Sequence, residues 1–380
     1  MSLFPHQREA VDFFLARDSA VLCYEMGLGK TFIGLGAARH FQVVFVFLPA
    51  YLRPAWIEAA DILGVECPHF VSYDAREFPL VPAEALVILD ESQYIKNKNS
   101  ARWKRLERAI VVTSHRLLLT GTPMLNRHAE LWTQLKLMGY TQSWTAFTRE
   151  FCGARERWIR GRRVWDTSRS THAPKLRHIL KAHGFRFRDK GILGTLPPKT
   201  TTVVPFTMLP CPGAILTVRN GVPGNCLSQY QQSVQRRIQS PSWRDTIRAT
   251  AEAPAIIFAK HIAVLDALHE LFPDAKRIDG THRDEIPTSG ILLCSIGAAA
   301  VGLTLTFATK CIFAECSWSA GVQAQCEARI HRIGQTRPCQ IMYVLSDDIV
   351  DRKIWASIQR KQKHIRKLSM RTTNDAPSCV

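Results

Sequence analysis

The sequence predicts an α/β protein built from two doubly wound parallel sheets. Short runs rich in Val, Ile, Leu and Phe end abruptly at a polar or turn residue, which is typical of buried parallel strands, and these runs fall into two sets. Amphipathic stretches such as "HIAVLDALHELF" (261–272) lie between the runs and suit crossover helices. The region between the two sets is rich in Arg, Trp, Pro and Gly, and it predicts a basic, partly helical insertion with a linker.

The strand-like runs set the predicted domain boundaries. The first set comprises "SAVLCYE" (19–25), "VVFVFLPA" (43–50), "ALVILDES" (85–92) and "RLLLTGTP" (116–123). The second set comprises "AIIFAK" (255–260), "GILLCSI" (290–296), "KCIFAEC" (310–316) and "QIMYVLS" (340–346), and "LPPKTTTVVPF" (196–206) can add an extended strand after its paired prolines. We therefore predict an N-terminal lobe at 1–140, a basic insertion and linker at 141–250, a C-terminal lobe at 251–371 and a tail at 372–380.

Composition excludes several classes of protein. No run approaches the roughly 18 apolar residues that a bilayer span needs, and charges interrupt the N-terminus every few residues, so neither a membrane span nor a secretory signal is expected. The eleven cysteines lie singly without a C-x-x-C pair, which favours buried thiols over zinc or disulfides. We expect a soluble protein of a cytosol-like compartment, which is the cytoplasm in a bacterial or phage-infected cell and the nucleus in a eukaryote.

The net charge of +18 is concentrated in two windows. Residues 149–190 hold thirteen Lys or Arg against four Asp or Glu, and residues 352–371 hold eight against none. Such patches on a near-neutral body favour a nucleic-acid backbone as partner over a merely solvated surface. The first window interleaves Trp158 and Trp165 with the arginines that we predict to bind DNA, namely Arg155, Arg157, Arg160, Arg162 and Arg163.

The stretch "YEMGLGKTFIGLGAARH" (24–40) predicts a phosphate-binding loop between a strand and a helix. Backbone N–H groups from Gly27 to Thr31, including that of Gly29, can surround a phosphate. Lys30 can reach the terminal phosphates, and the Thr31 hydroxyl can bind Mg²⁺. The strict pattern has glycine where this chain has Tyr24.

A second strand end carries the acidic pair Asp90 and Glu91 in "VILDES". The carboxyl ends of parallel strands are where α/β sheets bind ligands. One carboxylate that holds Mg²⁺ and a neighbour that orients water are the pair that nucleotide hydrolysis requires. With the loop, the pair predicts an ATPase that uses ATP and Mg²⁺.

Further motifs narrow the class. "LFPHQREAVDFF" (3–14), "LLLTGTPMLNRHAELW" (117–132), "SIGAAAVGLTLT" (295–306) and "QAQCEARIHRIGQTRPCQ" (323–340) follow the order and spacing of superfamily two helicases. The whole chain resembles the Swi/Snf-type DNA translocase ATPases, and "HRIGQT" is highly specific to them. The middle segment, "AFTREFCGARERW…RRVWDTSRSTHAPKLRHIL" (146–180), resembles the HepA-related annealing helicases.

The resemblance implies two RecA-like lobes and a role for individual residues. It implies that Gln7 contacts adenine, that Thr31 and Asp90 hold the metal, and that Glu91 positions the attacking water. It also implies that the segment from Thr120 to Pro123 couples nucleotide state to DNA, with Thr120 at the nucleic acid, that Arg329 and Arg332 are arginine fingers, and that Gln335 lies beside the same cleft. The chain departs from the family at Gln93, where histidine is usual, and at Ala328, where this branch usually has aspartate. The segment 281–290 is also shorter than in relatives.

The function that the sequence favours is ATP-dependent translocation on, or remodelling of, duplex or forked DNA by a monomer, including annealing. A strand-separating helicase of the same superfamily is one alternative. A nucleotide-gated DNA-binding module with little turnover is the other, and it is raised by Tyr24, Gln93 and Ala328. The sequence names no protein partner.

Overall fold

The computed structural model describes residues 2–125, 127–159, 161–193, 196–209, 226–298 and 303–369. The chain up to residue 194 and the end of the last helix (361–369) group into one compact unit, and residues 195–360 form a second.

The first unit is built on a parallel sheet with helices on both faces. Its strands are β1 (Ser19–Tyr24), β2 (Val44–Leu48), β3 (His69–Ser72), β4 (Leu86–Asp90), β5 (Arg116–Thr120), β6 (Arg155–Ile159), β7 (Arg162–Asp166) and β8 (Phe185–Arg188). Its helices are α1 (Pro5–Leu15), α2 (Lys30–Ala38), α3 (Arg53–Leu63), α4 (Ala101–Ala109), α5 (Trp132–Leu137), α6 (Trp144–Cys152) and α7 (Ala173–Ala182).

Six strands of this unit pair side by side in the order β3-β2-β4-β5-β1-β8, and every described pairing in the sheet is parallel. The central strand β4 is buried along its whole length, which accounts for its unbroken apolar sequence. Apolar clusters cover the sheet on its two faces. Because β5 lies between β4 and β1, the carboxyl ends of these three strands form one continuous edge.

The second unit repeats this architecture. Its strands are β9 (Lys199–Phe206), β10 (Ala255–Ala259), β11 (Lys276–Ile278), β12 (Ile291–Ser295), β13 (Lys310–Phe313) and β14 (Cys339–Ser346). They pair in the order β11-β12-β10-β13-β14-β9, again in parallel in every described pairing. The helices are α8 (Cys226–Gln239), α9 (Pro241–Thr250), α10 (Ile262–Leu271), α11 (Ala320–Ile330) and α12 (Ile349–Ser369), of which α12 begins in this unit. The predicted fold class is confirmed.

The predicted insertion at 141–250 is shared between the two units. Strand β8 adds to the first sheet beside β1, with Tyr24 opposite Arg188, whereas β9 pairs with β14 over eight positions in the second sheet. The chain between them starts close to the phosphate loop, since the Glu25 N–H donates to the Arg188 carbonyl (2.9 Å) and the Lys190 N–H donates to Glu25 Oε2 (2.9 Å). Each sheet therefore takes one of its two edge strands from this segment.

Two further expectations concern cysteines and membranes. The cysteines whose side chains the structure describes are free thiols, and all of them except Cys67 are buried. Over the described ranges, no helix combines the length and apolar character needed to cross a bilayer.

Candidate nucleotide site and nucleic-acid surface

The phosphate loop lies between β1 and α2, as predicted. Gly27 and Gly29 have φ of +90° and +71°, in the left-handed region that favours glycine, and Gly29 is the N-cap of α2. A Cβ atom on Gly29 would lie 2.2 Å from Nε2 of Gln7, so a larger residue there would displace the Gln7 amide. Helix α2 then begins at Lys30, which points its first backbone N–H groups toward the loop.

Lys30 and Tyr24 explain how the loop closes without the usual first glycine. The Lys30 ammonium donates to the backbone carbonyl of Tyr24 (2.9 Å). Tyr24 is the last residue of β1, its ring is fully buried in the core, and burial raises its pKa. The tyrosine is therefore a strand residue that packs inward, and it does not occupy the phosphate-binding turn.

Gln7 ties helix α1 to the same loop. Its buried side chain accepts from the Phe4 N–H (2.9 Å) and donates to the Leu28 carbonyl (3.4 Å). The His6 ring lies 3.0 Å from that carbonyl through Nε2. Gln7 thus positions the loop from behind, and its contact with adenine stays a prediction.

Asp90 is buried at the end of β4. Its Oδ2 accepts from the Trp56 indole N–H (2.8 Å), and its Oδ1 accepts from the Glu91 backbone N–H (2.9 Å). Burial, and next the charge of Glu91, raise the pKa of Asp90 to about 6, against the lowering effects of the Trp56 hydrogen bond and Lys30. A cation beside this carboxylate would counteract both effects and stabilise its charged form.

Glu91 belongs to a chain of hydrogen bonds that crosses from β4 to β5. Glu91 itself has φ of +51°, and its Oε2 accepts from the Gln93 amide (2.6 Å). Gln93 Oε1 accepts from the Thr120 hydroxyl (2.7 Å), and Thr120 Oγ1 accepts from the Thr122 N–H (3.0 Å). Gln93 thus both donates and accepts, so the replacement of the usual histidine leaves a continuous connection between the acidic pair and "TGTP".

The donor set fits Mg²⁺. Thr31 supplies a hydroxyl oxygen in the first turn of α2 and Asp90 supplies a carboxylate oxygen, which are the hard ligands that Mg²⁺ prefers with substrate phosphates and water. In the described part of the chain, no group of three His, Cys, Asp or Glu side chains could hold a metal by itself. The site is thus suited to a metal that arrives with a nucleotide.

In the second unit, the two predicted fingers lie close together in sequence at the end of α11. Arg329 is in the last turn of the helix, and Arg332 follows it and donates to the Leu303 carbonyl (3.4 Å). Burial, and next the charge of Arg329, lower the pKa of Arg332. An anion beside this pair would relieve their repulsion, which is the environment that a phosphate offers.

Other residues hold this segment in place. The buried Gln335 amide donates to the backbone carbonyls of Thr306 (3.1 Å), Ala308 (2.9 Å) and Ile330 (3.2 Å), so it shapes the surrounding loops, and its nucleotide contact stays a prediction. Next to Ala328, Glu327 accepts from the Tyr343 hydroxyl (2.5 Å) and pairs with Lys199 (2.8 Å). These contacts fix α11 against β14 and β9, although aspartate is missing at 328.

The predicted DNA-binding arginines lie on a two-stranded antiparallel hairpin, β6–β7, which the sequence did not reveal. Arg155, Arg157, Arg162 and Arg163 are exposed on it, and Arg160 lies outside the described residues. Arg157 pairs with Asp166 (3.1 Å), and Arg163 pairs with Glu156. Exposed pairs of this kind contribute little to stability, so these arginines can exchange partners for phosphates at small cost.

Some arginines of the basic window at 149–190 make contacts within the protein. Arg186 and Arg188 of β8 both pair with Glu9 on α1, and the Arg186 guanidinium lies 4.8 Å from the centre of the Phe13 ring. These two arginines hold the edge strand against α1 and are less suited to nucleic acid than the hairpin. Over 352–362, where side chains are described, Arg352, Lys353 and Arg360 are exposed.

Sequence reasoning missed Trp56 and Tyr73, which surround the acidic pair. Tyr73 donates its hydroxyl to the Asp90 backbone carbonyl (3.0 Å), opposite the indole contact from Trp56. Both residues come from elements that precede β4 in the chain. The available signal was a Trp or Tyr with a polar group one helix or strand away from a buried carboxylate, and this signal is too common to select them.

Two doubly wound sheets, with a phosphate loop and an acidic pair on the same edge of one of them, define the class of P-loop ATPases with two parallel-sheet units. Within that class, residues 77–210 match the model of the SNF2-related domain. Over these residues the chain is similar to the SNF2-related domain, in agreement with the family resemblance that the motifs indicated.

Named relatives agree with this assignment. The chain is 27% identical to the mouse (Mus musculus) protein "DNA annealing helicase and endonuclease ZRANB3", over 94% of this chain and 40% of that protein. It is 29% identical to the bovine (Bos taurus) "SWI/SNF-related matrix-associated actin-dependent regulator of chromatin subfamily A-like protein 1", over 98% of this chain and 45% of that protein. The chain thus spans less than half the length of these relatives.

A solved structure of the family is also similar. It is the "Sulfolobus solfataricus SWI2/SNF2 ATPase core in complex with dsDNA", with a TM-score of 0.46, 18% identity and 97% coverage of each chain.

Proposed function

We propose that this chain is a DNA-stimulated ATPase that moves along, or remodels, duplex or forked DNA. The observation that carries the proposal is the hydrogen-bonded path from Glu91 through Gln93 to Thr120. It joins the residue that would orient water to the strand end that precedes "TGTP". A protein that only bound nucleotide would have no need to connect these two places.

The residues of the first unit can each be given a task. When bound, ATP with its Mg²⁺ supplies a phosphoanhydride bond and a Lewis acid that offsets charge on the phosphoryl oxygens. Lys30 would leave the Tyr24 carbonyl for the terminal phosphates. Each oxygen of Asp90 accepts one hydrogen bond, so a second lone pair on either oxygen is available to the metal. Glu91, held through Gln93, accepts a hydrogen bond from the attacking water.

In this proposal the second unit supplies two arginines that accelerate hydrolysis. Planar guanidinium groups neutralise charge that develops on equatorial phosphoryl oxygens, and such a finger is worth about 10³–10⁵ in rate. Arg329 and Arg332 are held in a segment that Gln335 and Glu327 support.

Two alternatives remain distinct. Strand separation is favoured by one observation, the exposed hairpin with Trp158 near its turn, because such an element can contact an unpaired strand. The unbroken path from Glu91 to Thr120 argues against a binding module with little turnover. The two relatives are named as an annealing helicase and a chromatin regulator, and these names support remodelling or annealing.

One experiment separates these functions. ATP hydrolysis is measured without DNA and with single-stranded, duplex and forked DNA, alongside a strand-displacement assay. We expect duplex or forked DNA to stimulate turnover without displacement. Displacement would support the helicase, and near-zero turnover on every DNA would contradict the proposal.

A single substitution tests the site itself. Lys30→Ala removes the ammonium that would neutralise the terminal phosphates, so we expect turnover to fall below detection while DNA binding stays within about twofold of the parent. The control is Lys104→Ala, which truncates an exposed lysine of α4. Loss of DNA binding in Lys30→Ala would mean that the loop has a structural role instead.

A further inference from the structure

The hairpin β6–β7 stands apart from both large sheets. Its strands pair only with each other in the described chain, over five positions, and Gly161 takes φ of +73° in the turn. A two-stranded ribbon is marginally stable by itself, so it needs an anchor on the body of the protein.

Trp165 is that anchor. Its indole N–H donates to Oγ1 of Thr148 on α6 (3.0 Å), and the Arg149 guanidinium lies 5.5 Å from the centre of its ring. Trp165 is opposite Glu156 in the register, at the end of the hairpin remote from the turn. The base of the hairpin is therefore fixed to α6.

Trp158 lies on the same face, two residues nearer the turn, and is not held in this way. Side chains alternate between faces along a strand, and Trp158 is directly opposite Arg163, as Glu156 is opposite Trp165. The side chain of Trp158 is 73% exposed. A large flat ring that is exposed beside a guanidinium, on an anchored hairpin, is a ready contact surface.

The charge around this ring selects the partner. The opposite face of the hairpin carries Arg155, Arg157 and Arg162, and Arg163 adds a charge beside Trp158. From 155 to 166 the sequence holds five arginines against Glu156 and Asp166, a net charge of +3. One arginine beside the ring and three on the reverse face of the hairpin match a polyanion that also offers flat aromatic faces, which is a nucleic acid strand.

Stacking further restricts the nucleic acid. Inside a continuous duplex, each base is covered on both faces by its neighbours, so an indole can stack only where a base is unpaired or ends a stack. We propose that Trp158 stacks on an unpaired or terminal base at a junction between single-stranded and duplex DNA, while the hairpin arginines contact the adjacent phosphates. This inference rests on the proposed DNA function and names the structure that the hairpin recognises.

The direct test is to measure how tightly the Trp158→Ala variant binds DNA. Affinities are measured by fluorescence anisotropy for a fork, for a duplex with a single-stranded tail, and for a closed duplex, which is a covalently closed, relaxed circle with no free end and no unpaired base. Loss of one stacked base is expected to weaken binding to the fork and the tailed duplex roughly ten- to a hundredfold, and to change binding to the closed duplex less than twofold. Trp158→Phe should recover part of the loss, since phenylalanine keeps an aromatic face.

A second readout reports stacking directly. With 2-aminopurine as the first unpaired base at the fork, stacking on Trp158 is expected to change its fluorescence on binding, and Trp158→Ala should abolish that change at saturating protein. Val164→Ala is the matched control, because it truncates an apolar side chain on the other face of the same hairpin. Thermal unfolding of each variant verifies that the hairpin change leaves the body intact.

The outcomes are distinct. Equal losses on fork and closed duplex would overturn the proposal and assign Trp158 to the duplex backbone, whereas unchanged binding to every DNA would overturn it and leave the surface to a protein partner. The proposed function is tested separately, since DNA-stimulated turnover on closed duplex does not depend on Trp158. Turnover that no DNA stimulates in the parent protein would contradict the proposed function, even if fork binding still required the tryptophan.

Discussion

The indole N–H of Trp56 donates to Oδ2 of Asp90 across 2.8 Å, and both side chains are buried. The close approach depends on Gly34 in α2, since a Cβ there would lie 2.5 Å from Cη2 of Trp56. Helix α2, the Trp56 indole and the end of β4 therefore pack against one another. The proposed metal-binding carboxylate is oriented by a residue that itself has no place in the reaction.

Trp56→Phe should weaken the use of Mg²⁺ while leaving the fold intact. The variant keeps an aromatic ring but removes the donor that orients Asp90 and lowers its pKa. We expect the Mg²⁺ concentration for half-maximal turnover to rise about three- to tenfold, together with weaker Mg²⁺-dependent binding of a fluorescent ATP analogue. Trp243→Phe is the control, because Trp243 is also fully buried but its Nε1 has no hydrogen-bond partner among the described residues. Equal effects in the two variants would assign the change to packing.

Asp90 predicts a pH dependence of stability. Its pKa is raised from 3.8 to about 6 in the folded protein, so the native state binds the extra proton between those values. The contribution of Asp90 to the free energy of unfolding is therefore greatest below about pH 4 and is lost as the pH rises through about 6. Asp90→Asn does not titrate, so its free energy of unfolding relative to the parent should rise by about 1 kcal/mol from pH 5 to pH 7.5 without Mg²⁺. Denaturant unfolding at the two pH values measures this, and a difference that stays constant would contradict it.

Gly29→Ala should impair the phosphate loop more than backbone strain alone explains. Alanine at a φ of +71° costs about 1–2 kcal/mol, and its Cβ would also meet the Gln7 amide. We expect at least tenfold weaker binding of a fluorescent ATP analogue. Gly64→Ala is the matched control, with φ of +62° and no atom within 4 Å of the added Cβ. It should lose similar stability from strain but bind nucleotide normally, and Gln7→Ala should rescue part of the Gly29→Ala defect.

Gln93→Ala should slow hydrolysis without affecting nucleotide affinity. It leaves the buried Thr120 hydroxyl and the Glu91 carboxylate without their shared partner, a change that costs about 1–3 kcal/mol. If that cost falls on the transition state, DNA-stimulated turnover drops roughly five- to a hundredfold, and the dissociation constant for ATP changes less than threefold. Gln93→His restores the usual family residue and should retain most of the turnover. A weaker nucleotide affinity with unchanged turnover would contradict the coupling role.

The sequence was sufficient for strands that are buried on both faces. Runs such as 85–92 and 255–260 became β4 and β10, because a strand covered on both sides must be apolar along its length. It was insufficient for the polar edge strand β8, "FRFR", whose arginines are neutralised by Glu9 some 177 residues earlier in the chain. Such long-range pairing leaves no local pattern.

The candidate site was likewise predicted only in part from the sequence. Lys30, Asp90 and Glu91 were predicted because turn glycines and strand ends mark them in the sequence. Trp56 was missed because its contact with Asp90 spans 34 residues and depends on how α3 packs. The hairpin was missed since its charged, alternating residues gave only a charge count, although that count located the arginines.

The chain segment that connects the two units starts from the first unit at a point beside the phosphate loop. Glu25 receives a hydrogen bond through its carboxylate from Lys190 and donates one to Arg188, which ends β8. In the proposed function, a force that acts on the chain beyond β8 reaches the first unit at the residue where the phosphate loop starts. We therefore expect a pull on this segment to change how tightly the loop holds ATP.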